Sequence, residues 1–395
     1  MIANARTKNM KEHVDGTDRG RLTRGAFWAS VAFYVLVAFE FFYMASPFAA
    51  YFYSVYGPGL DLLGESQTAS WLVGFFLPHI AAQTKSWLVD ADKVAGAILT
   101  IAGMCGFAIG AFRIYSNKLR KREMVESGVY RWIRHPQYGA LMMASFGLLL
   151  IWPRFLVLFG FVTIVFVYVL LSRSEERRCT RQFAGYADYM QRTGMFLPRA
   201  LESPFRLVPI PGSGFLRAVS WILLYIAALG MASFAGRAVQ SHAIDSLYAH
   251  YTEDAAYFSV GKLSSREIAA LAAIALADST VAAAIRQARE NEGARFLNYV
   301  LPTEMFVSEI PMRLPKGTVT GHTFPKDHDR NRYKIVFTLA HHRPGRIPNG
   351  PSIIADALNK TPIIEAWIDR QAARVVRTFP PPEKAFYGGM PVPVF

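Results

Sequence analysis

The chain has 395 residues, of which 52% are hydrophobic and only 18% are charged, and its formal net charge at pH 7 is +14. This composition is too apolar for an ordinary soluble protein and indicates several membrane spans joined to a more polar part. In a membrane protein, an excess of Lys and Arg is typical of cytoplasmic loops, so we expect no nucleic acid partner. The two cysteines, Cys105 in an apolar run and Cys179 in a basic loop, exclude a disulfide framework and a cysteine-based zinc site.

Apolar runs predict about five transmembrane helices after a polar, basic tail over residues 1–25. The runs cover residues 27–56, 94–112, 138–152, 155–171 and 215–234. The second run is rich in glycine, which suits close helix packing. Residues 70–89 contain Pro78, His79 and Lys85, and this favours an interfacial or re-entrant segment. If this segment instead crosses the membrane, the orientation of everything before it changes.

The last part of the chain has a different pattern. Ser264 and Glu267 form a capping box before an alanine-rich helix, and a second helix is predicted from about residue 280 to 291. Strands are predicted at residues 333–339, 362–368 and 374–379. The predicted fold class is therefore an all-α polytopic membrane core (26–236) followed by a C-terminal small α+β extramembrane domain (237–395). Five spans would place this domain outside the cytoplasm.

The stretch from Gly128 to Tyr138 joins a basic loop to an apolar run. A residue before proline is extended, and proline is favoured at the first position of a helix, so Pro136 should begin a span. The positive helix end and its free N–H groups then lie beside Arg134 and His135 and suit a carboxylate or phosphate. A simpler interpretation is that the arginines bind lipid headgroups and the aromatic residues form an interfacial belt.

Two carboxylates, Glu175 and Glu176, follow the next apolar run. Only the residues 152–154 separate the two runs, so these must form a tight hairpin whose ends return to the same side of the membrane. Adjacent helical residues point about 100° apart, so only one of the two glutamates can face the hairpin interior. The simpler alternative is a solvated turn in which both pair with neighbouring arginines. Taken together, the two clusters predict a two-sided pocket for a zwitterionic or cationic ligand.

The motif Arg134-His135-Pro136-Gln137-Tyr138, a hairpin and Glu175-Glu176 resembles the isoprenylcysteine carboxyl methyltransferase family and its phospholipid methyltransferase relatives. The resemblance covers roughly residues 90–200. It implies a helical membrane enzyme that binds S-adenosylmethionine at the cytosolic face. It also implies membrane lipids as surroundings and a lipophilic substrate that enters from the bilayer. The expected location is a bacterial inner membrane or an endomembrane, with several spans.

The resemblance also assigns roles to individual residues. The cofactor-binding residues that it implies are Tyr130, His135, Tyr138, Glu175 and Glu176. Arg134, near the acceptor group, and Glu176 are taken as the catalytic residues. A carboxylate acceptor needs only desolvation and orientation, whereas an amine acceptor needs a base to take its proton. The sequence leaves these two chemistries open.

Two other functions remain open at this stage. Membrane sterol reductases have a related helical core and use NADPH. A non-catalytic anchor or accessory subunit, whose outer domain binds a protein partner, is the other alternative. We expect no metal site, because the spacing of the histidines in the last domain matches no standard ligand pattern. These histidines, taken as surface residues, are His322, His328, His341 and His342.

Overall fold

The computed structural model describes residues 68–120, 125–202, 214–315, 317–342, 346–383 and 392–395, together with scattered positions between 28 and 66. The predicted span over residues 27–56 falls largely outside the described residues. The helices of the first part are α1 (Trp87–Asp90), α2 (Asp92–Arg120), α3 (Pro136–Ile151), α4 (Phe155–Gln182), α5 (Tyr186–Arg192), α6 (Arg199–Glu202) and α7 (Gly214–Ser246). Among the described residues, α2, α4 and α7 are long and apolar enough to cross a membrane, and α3 is a shorter apolar helix.

Helices α2 and α3 approach each other backbone to backbone. A Cβ atom added to Gly103 would lie 2.5 Å from the nitrogen of Ala144 and 2.6 Å from the carbonyl oxygen of Ala140. One added to Gly147 would lie 2.5 Å from the nitrogen of Thr100. The glycine-rich run thus packs closely against a neighbouring helix, as its composition predicts.

Helices α3 and α4 form the predicted hairpin, joined by the turn 152–154. An extended segment over residues 74–86 lies against this turn. The nitrogen of Phe76 donates to the oxygen of Pro153 at 2.9 Å, and the nitrogen of Phe155 donates to the oxygen of Gly74 at 3.1 Å. The hairpin turn is therefore fastened to a part of the chain that precedes α2.

The last part of the chain forms one six-stranded sheet in the order β1 to β6. Its strands are β1 (Tyr248–Tyr251), β2 (Ala255–Ser259), β3 (Phe296–Pro302), β4 (Arg332–His341), β5 (Asn359–Asp369) and β6 (Arg374–Phe379). All neighbours are antiparallel except β2 and β3, which are parallel. The connection between these two carries helices α8 (Ser265–Ala277) and α9 (Ser279–Arg289), which cover one face of the sheet. The three predicted strands correspond to β4, β5 and β6, and Ser264 and Glu267 form the predicted capping box.

The other face of the sheet is covered by residues from the first part of the chain. Phe75, Ile80 and Ala81 lie in one apolar core with residues of β2, β3 and β4. The nitrogens of Ala82 and Gln83 donate to the carbonyl oxygen of Val260, which follows β2. The expected interfacial or re-entrant segment is thus an extended stretch that is buried in the sheet part of the protein.

Helix α7 connects the two parts without a break. Its 33 residues run from Gly214 to Ser246, past the predicted end of the span at residue 234, and β1 begins at Tyr248. Ile244, in its last turn, is buried in the same core as the segment 74–86. The sheet therefore packs directly on the end of a long apolar helix.

Candidate functional site

The loop before α3 is held in place by backbone hydrogen bonds to residues 194–195. The nitrogen of Arg134 donates to the oxygen of Gly194, and that of His135 donates to the oxygen of Met195, both at 2.9 Å. In return, the nitrogen of Gly194 donates to the oxygen of Trp132 at 3.1 Å. A Cβ atom on Gly194 would lie 1.8 Å from the oxygen of Leu197, so only glycine fits there. The site loop thus has a fixed backbone.

His135 is the N-terminal capping residue of α3, and Pro136 is its first residue. Pro136 thus begins the helix as predicted, because proline has the backbone angle of a first helical residue and lacks the N–H that would be unpaired there. His135 itself, with φ −122° and ψ 61°, is not in the extended conformation that was expected of it. The side chains of Arg134 and His135 are therefore presented at the positive end of α3.

Arg134 and Glu176 form a buried ion pair between the site loop and α4. Arg134 Nε donates to Glu176 Oε1 at 2.6 Å, and the side chains are only 4% and 8% exposed. Arg134 Nη1 also donates to the carbonyl oxygens of Met190, at 3.1 Å, and Thr193. The guanidinium is thus fixed by three partners on different elements. Thr193 and Met190 were not identified from the sequence, because their contribution is made by the backbone.

Glu175 is the outward-facing member of the pair of glutamates. Its side chain is 36% exposed, and its Oε2 lies 3.5 Å from His135 Nδ1. Its Oε1 accepts a hydrogen bond from the hydroxyl of Tyr138. The ring of Tyr138 stacks on His135 on one side and on Tyr168 on the other. One carboxylate therefore faces the interior and the other the open side, as the angle between adjacent helical residues predicts.

Tyr130 lies beside this cluster and does not point into it. Its hydroxyl donates to the carbonyl oxygen of Gly110 in α2 at 3.3 Å, and its own carbonyl accepts from the hydroxyl of Tyr189 at 2.6 Å. The ring is 4% exposed. The structure thus places Tyr130 between α2 and the site loop, while the predicted residues Arg134, His135, Tyr138, Glu175 and Glu176 are brought together.

The buried imidazole of His135 lies between the two carboxylates, with Nε2 3.4 Å from Glu176 Oε1. Burial lowers the pKa of His135, but hydrogen bonds and charge interactions with Glu175 and Glu176 outweigh it, and the pKa is raised above 6.5. A raised pKa in the folded state stabilises the fold below pH 6.5, and this contribution is lost as the pH rises through the folded-state pKa.

His135→Asn should therefore flatten the pH dependence of stability. We expect the free energy of unfolding of the unaltered protein to fall as the pH rises from about 6.5 through the raised folded-state pKa of His135, and the variant to show a smaller fall. Chemical unfolding in detergent micelles at a series of pH values measures this. Identical slopes in the two proteins would contradict the assignment of the charge to His135.

A cavity of about 360 Å³ opens beside Glu176. Its lining residues are Arg173, Glu176, Arg177, Thr180, Arg181, Met190 and Arg217. Four of these are arginines, and one of the four, Arg217, is contributed by α7. Arg217 was not predicted to be a site residue, because nothing in the sequence near it indicates that α7 packs beside α4. The cavity combines a carboxylate with a strongly positive wall, so it suits a ligand that carries both charges.

Residues 94–185 match the model of a family described as phospholipid methyltransferase. This match covers α3, α4 and most of α2, and it includes Arg134, His135, Tyr138, Glu175 and Glu176. The segment is a phospholipid methyltransferase family domain. With its long apolar helices, this domain makes the chain a multi-pass membrane protein.

The chain is also similar to a curated protein over about a third of its length. The chain is 28% identical over 146 residues to the nickel-cobalt-cadmium resistance protein NccN of Alcaligenes xylosoxydans xylosoxydans, which is 35% of this chain and 68% of the relative. No solved structure gives a significant match. The phospholipid methyltransferase family domain is therefore the finding on which a functional interpretation rests.

Proposed function

We propose that this protein is an integral membrane methyltransferase that uses S-adenosylmethionine. Its acceptor is a lipid or lipid-modified molecule with a carboxylate or amine, and the reaction takes place at the cytosolic membrane face. The observation that carries the proposal is the meeting of Arg134, His135, Glu175 and Glu176 at the ends of a membrane hairpin, inside a phospholipid methyltransferase family domain.

The residues of the site fit the charges of this cofactor. S-adenosylmethionine carries an ammonium, a carboxylate and a sulfonium, so it needs both acidic and basic partners. The half-exposed Glu175 is an acceptor for the ammonium, and the arginines that line the cavity are donors for the carboxylate. His135 lies between Glu175 and Glu176, with Nε2 3.4 Å from Glu176 Oε1, so its imidazole orients both carboxylates of the site.

The bound cofactor supplies an activated methyl group, and the protein has to orient the acceptor and exclude water. Arg134 is suited to orientation because Nε and Nη1 are fixed by Glu176 and two carbonyl oxygens. Its Nη2 group is then the donor that an acceptor carboxylate would meet. An amine acceptor would instead give its proton to Glu175, which lies at the open side, or to the neutral form of His135 behind it.

The acceptor would reach the site through the bilayer. Several apolar side chains of the long helices are exposed on the protein surface, among them Phe112 in α2 and Phe215 and Phe234 in α7. Such surfaces are covered by lipid in a membrane protein. A lipophilic acceptor can therefore remain in the lipid while its polar end enters the site between α3 and α4.

The proposal is tested by the binding of cofactors to the purified full-length protein in lipid nanodiscs. We expect labelled S-adenosylmethionine to bind and to be displaced by S-adenosylhomocysteine, with no binding of NADPH. The predicted contacts place Glu175 and His135 at the ligand, so Glu175→Ala and His135→Ala should each weaken binding at least about 10-fold. Tight binding of NADPH without binding of S-adenosylmethionine would instead support a reductase, and binding of neither would support a non-catalytic anchor.

A further inference from the structure

A second cluster of polar side chains lies at the junction between the segment 74–86 and the sheet. His79 Nε2 lies 3.5 Å from Glu309 Oε1, and His322 Nε2 lies 3.1 Å from Glu309 Oε2. The two imidazole rings meet edge to face, with centroids 4.8 Å apart. Three potential metal-ligand atoms, one from each residue, lie within 4.8 Å of one another. Two histidines and a carboxylate therefore converge from two regions of the chain, the segment 74–86 and the connection between β3 and β4.

The spacing of these atoms is close to that of a metal site. Zinc binds imidazole nitrogen and carboxylate oxygen at about 2.0–2.2 Å, and a tetrahedral arrangement then puts neighbouring ligand atoms about 3.3 Å apart. The two measured separations, 3.5 Å and 3.1 Å, bracket this value. Only small movements of the side chains are needed for one ion to contact all three residues.

The protonation states also suit a cation. Burial is the largest effect on His79 and lowers its pKa, which favours the neutral imidazole that binds metals. Burial alone would raise the pKa of Glu309, but hydrogen bonds from His322 and His79 outweigh it and hold the pKa well below its usual range. The histidine protons that are now bonded to Glu309 have to leave when a metal ion binds, so binding should release protons and strengthen as the pH rises.

Other histidines of the sheet part have different partners. His328 Nδ1 lies 3.1 Å from the carbonyl oxygen of Pro325, and His342 Nε2 lies 3.0 Å from that of Ile353. In each of these two rings one nitrogen is held as a donor to a carbonyl oxygen, and neither ring belongs to a group of three potential metal ligands among the described residues. His79 instead has only Glu309 as a hydrogen-bonding partner for its ring, and its buried Nδ1 has none among the described residues.

Two lysines oppose the binding of a cation. Lys93 Nζ donates to the oxygen of His79 at 2.6 Å, and Lys360 Nζ donates to the oxygen of Pro393 at 2.6 Å. Both ammonium groups thus have backbone partners of their own and do not pair directly with Glu309. Burial lowers the pKa of Lys360 to about 7, so its positive charge is only partly present at neutral pH. Coordination bonds therefore have to overcome a moderate repulsion.

We propose that His79, Glu309 and His322 bind a divalent first-row transition-metal ion. Two imidazoles and one carboxylate are a donor set that suits zinc and iron(II), with further positions left for water or another ligand. Trp152 of the hairpin turn stacks on His79, with centroids 4.7 Å apart and an interplanar angle of 9°. The ion would thus join the hairpin of the methyltransferase domain to the sheet. The spacing of the histidines in the last domain did not reveal this site, because only His322 belongs to that group and its partner His79 lies more than 240 residues earlier in the chain.

Titration with cobalt(II) tests this site directly, because the ion gives visible absorption bands when histidine and carboxylate ligands bind it. We use the full-length protein in nanodiscs after removal of metals with a chelator. One equivalent of cobalt should bind and be displaced by zinc. His322→Ala should weaken this binding about 100-fold or more, since loss of a mere supporting contact to a metal ligand already costs 10–100-fold. His322 is partly exposed, so this variant should still fold.

His328→Ala is the matched control, because His328 lies six residues away and is fixed by a carbonyl oxygen. His328→Ala should bind cobalt as tightly as the unaltered protein does. Zinc should raise the unfolding temperature of the unaltered protein and of His328→Ala, but not that of His322→Ala. Binding of less than one equivalent, or equal affinity in His322→Ala, would overturn the proposal. Binding of S-adenosylmethionine should persist in His322→Ala, so failure of this site and failure of the proposed function are separate results.

Discussion

Replacing Glu176 by alanine should abolish the binding of S-adenosylmethionine and lower the free energy of unfolding by about 3–5 kcal/mol. The reason is that Arg134 remains buried after its carboxylate partner has been removed. Its guanidinium would keep the two carbonyl oxygens of Met190 and Thr193 but lose the only counter-charge that it contacts in the described structure. Equilibrium unfolding in mixed micelles and a cofactor-binding assay measure the two effects.

Glu126→Ala is the matched control for this prediction. Glu126 also pairs with an arginine, Arg192, but the side chains are 38% and 62% exposed. An exposed pair contributes about 0–1 kcal/mol, so we expect a small change in stability and unaltered cofactor binding.

A double variant separates the two roles of Glu176. Glu176→Ala combined with Arg134→Met removes both charges, so it should recover part of the stability that the single variant loses. It should not recover the binding of S-adenosylmethionine. Equal destabilisation by Glu176→Ala and Glu126→Ala would contradict the assignment of Arg134 and Glu176 as a buried pair.

Gly103→Ala should lower the free energy of unfolding by about 1–3 kcal/mol, although alanine favours helices more than glycine does. The added Cβ would meet the backbone of α3 at Ala144 and Ala140, where neither atom can rotate away. Helices α2 and α3 would have to move apart. Because α3 begins at Pro136, next to His135, this movement should also weaken cofactor binding.

Gly106→Ala and Gly230→Ala are the controls for this steric argument. At Gly106, on the same helix, the nearest atom to an added Cβ is the Cβ of Ala140 at 3.3 Å, and at Gly230 nothing lies within 4 Å. We expect a nearly neutral effect at Gly106 and a gain of up to about 1 kcal/mol at Gly230, from helix propensity. Unfolding measurements on the three variants decide the matter. A neutral Gly103→Ala would mean that α2 and α3 are not in close contact.

The hairpin and its charged cluster could be predicted from the sequence, because each depends on only a short stretch of residues. A turn of three residues forces α3 and α4 to be antiparallel, so the start of one lies beside the end of the other. Pro136 fixes the start of α3. Adjacent residues of a helix point about 100° apart, so Glu175 and Glu176 must face different directions. The capping box at Ser264 is an equally local signal.

Other parts of the structure depend on contacts between distant residues, and the sequence does not show them. The extended segment 74–86 finds its partners at Pro153, Val260 and in the sheet core. Strand β3, which was not among the predicted strands, is buried along its whole length, so no alternation of apolar and polar residues marks it in the sequence. Arg134 also donates to backbone carbonyl oxygens of Met190 and Thr193. Every residue type has such an oxygen, so the amino-acid sequence does not indicate these contacts.

The burial of the segment 74–86 has a consequence for synthesis of the protein. Ile80 contacts a core that includes β4 residues, and β4 is held in place by β5, which ends at Asp369. About 290 residues separate Ile80 from that point, and a ribosome needs roughly 15–60 s to add them. During that interval the segment lacks the partners that bury it, while the adjoining helices are already entering the membrane. The early part of the chain therefore has to wait for the late part, and an interrupted translation product would leave this apolar stretch unpaired.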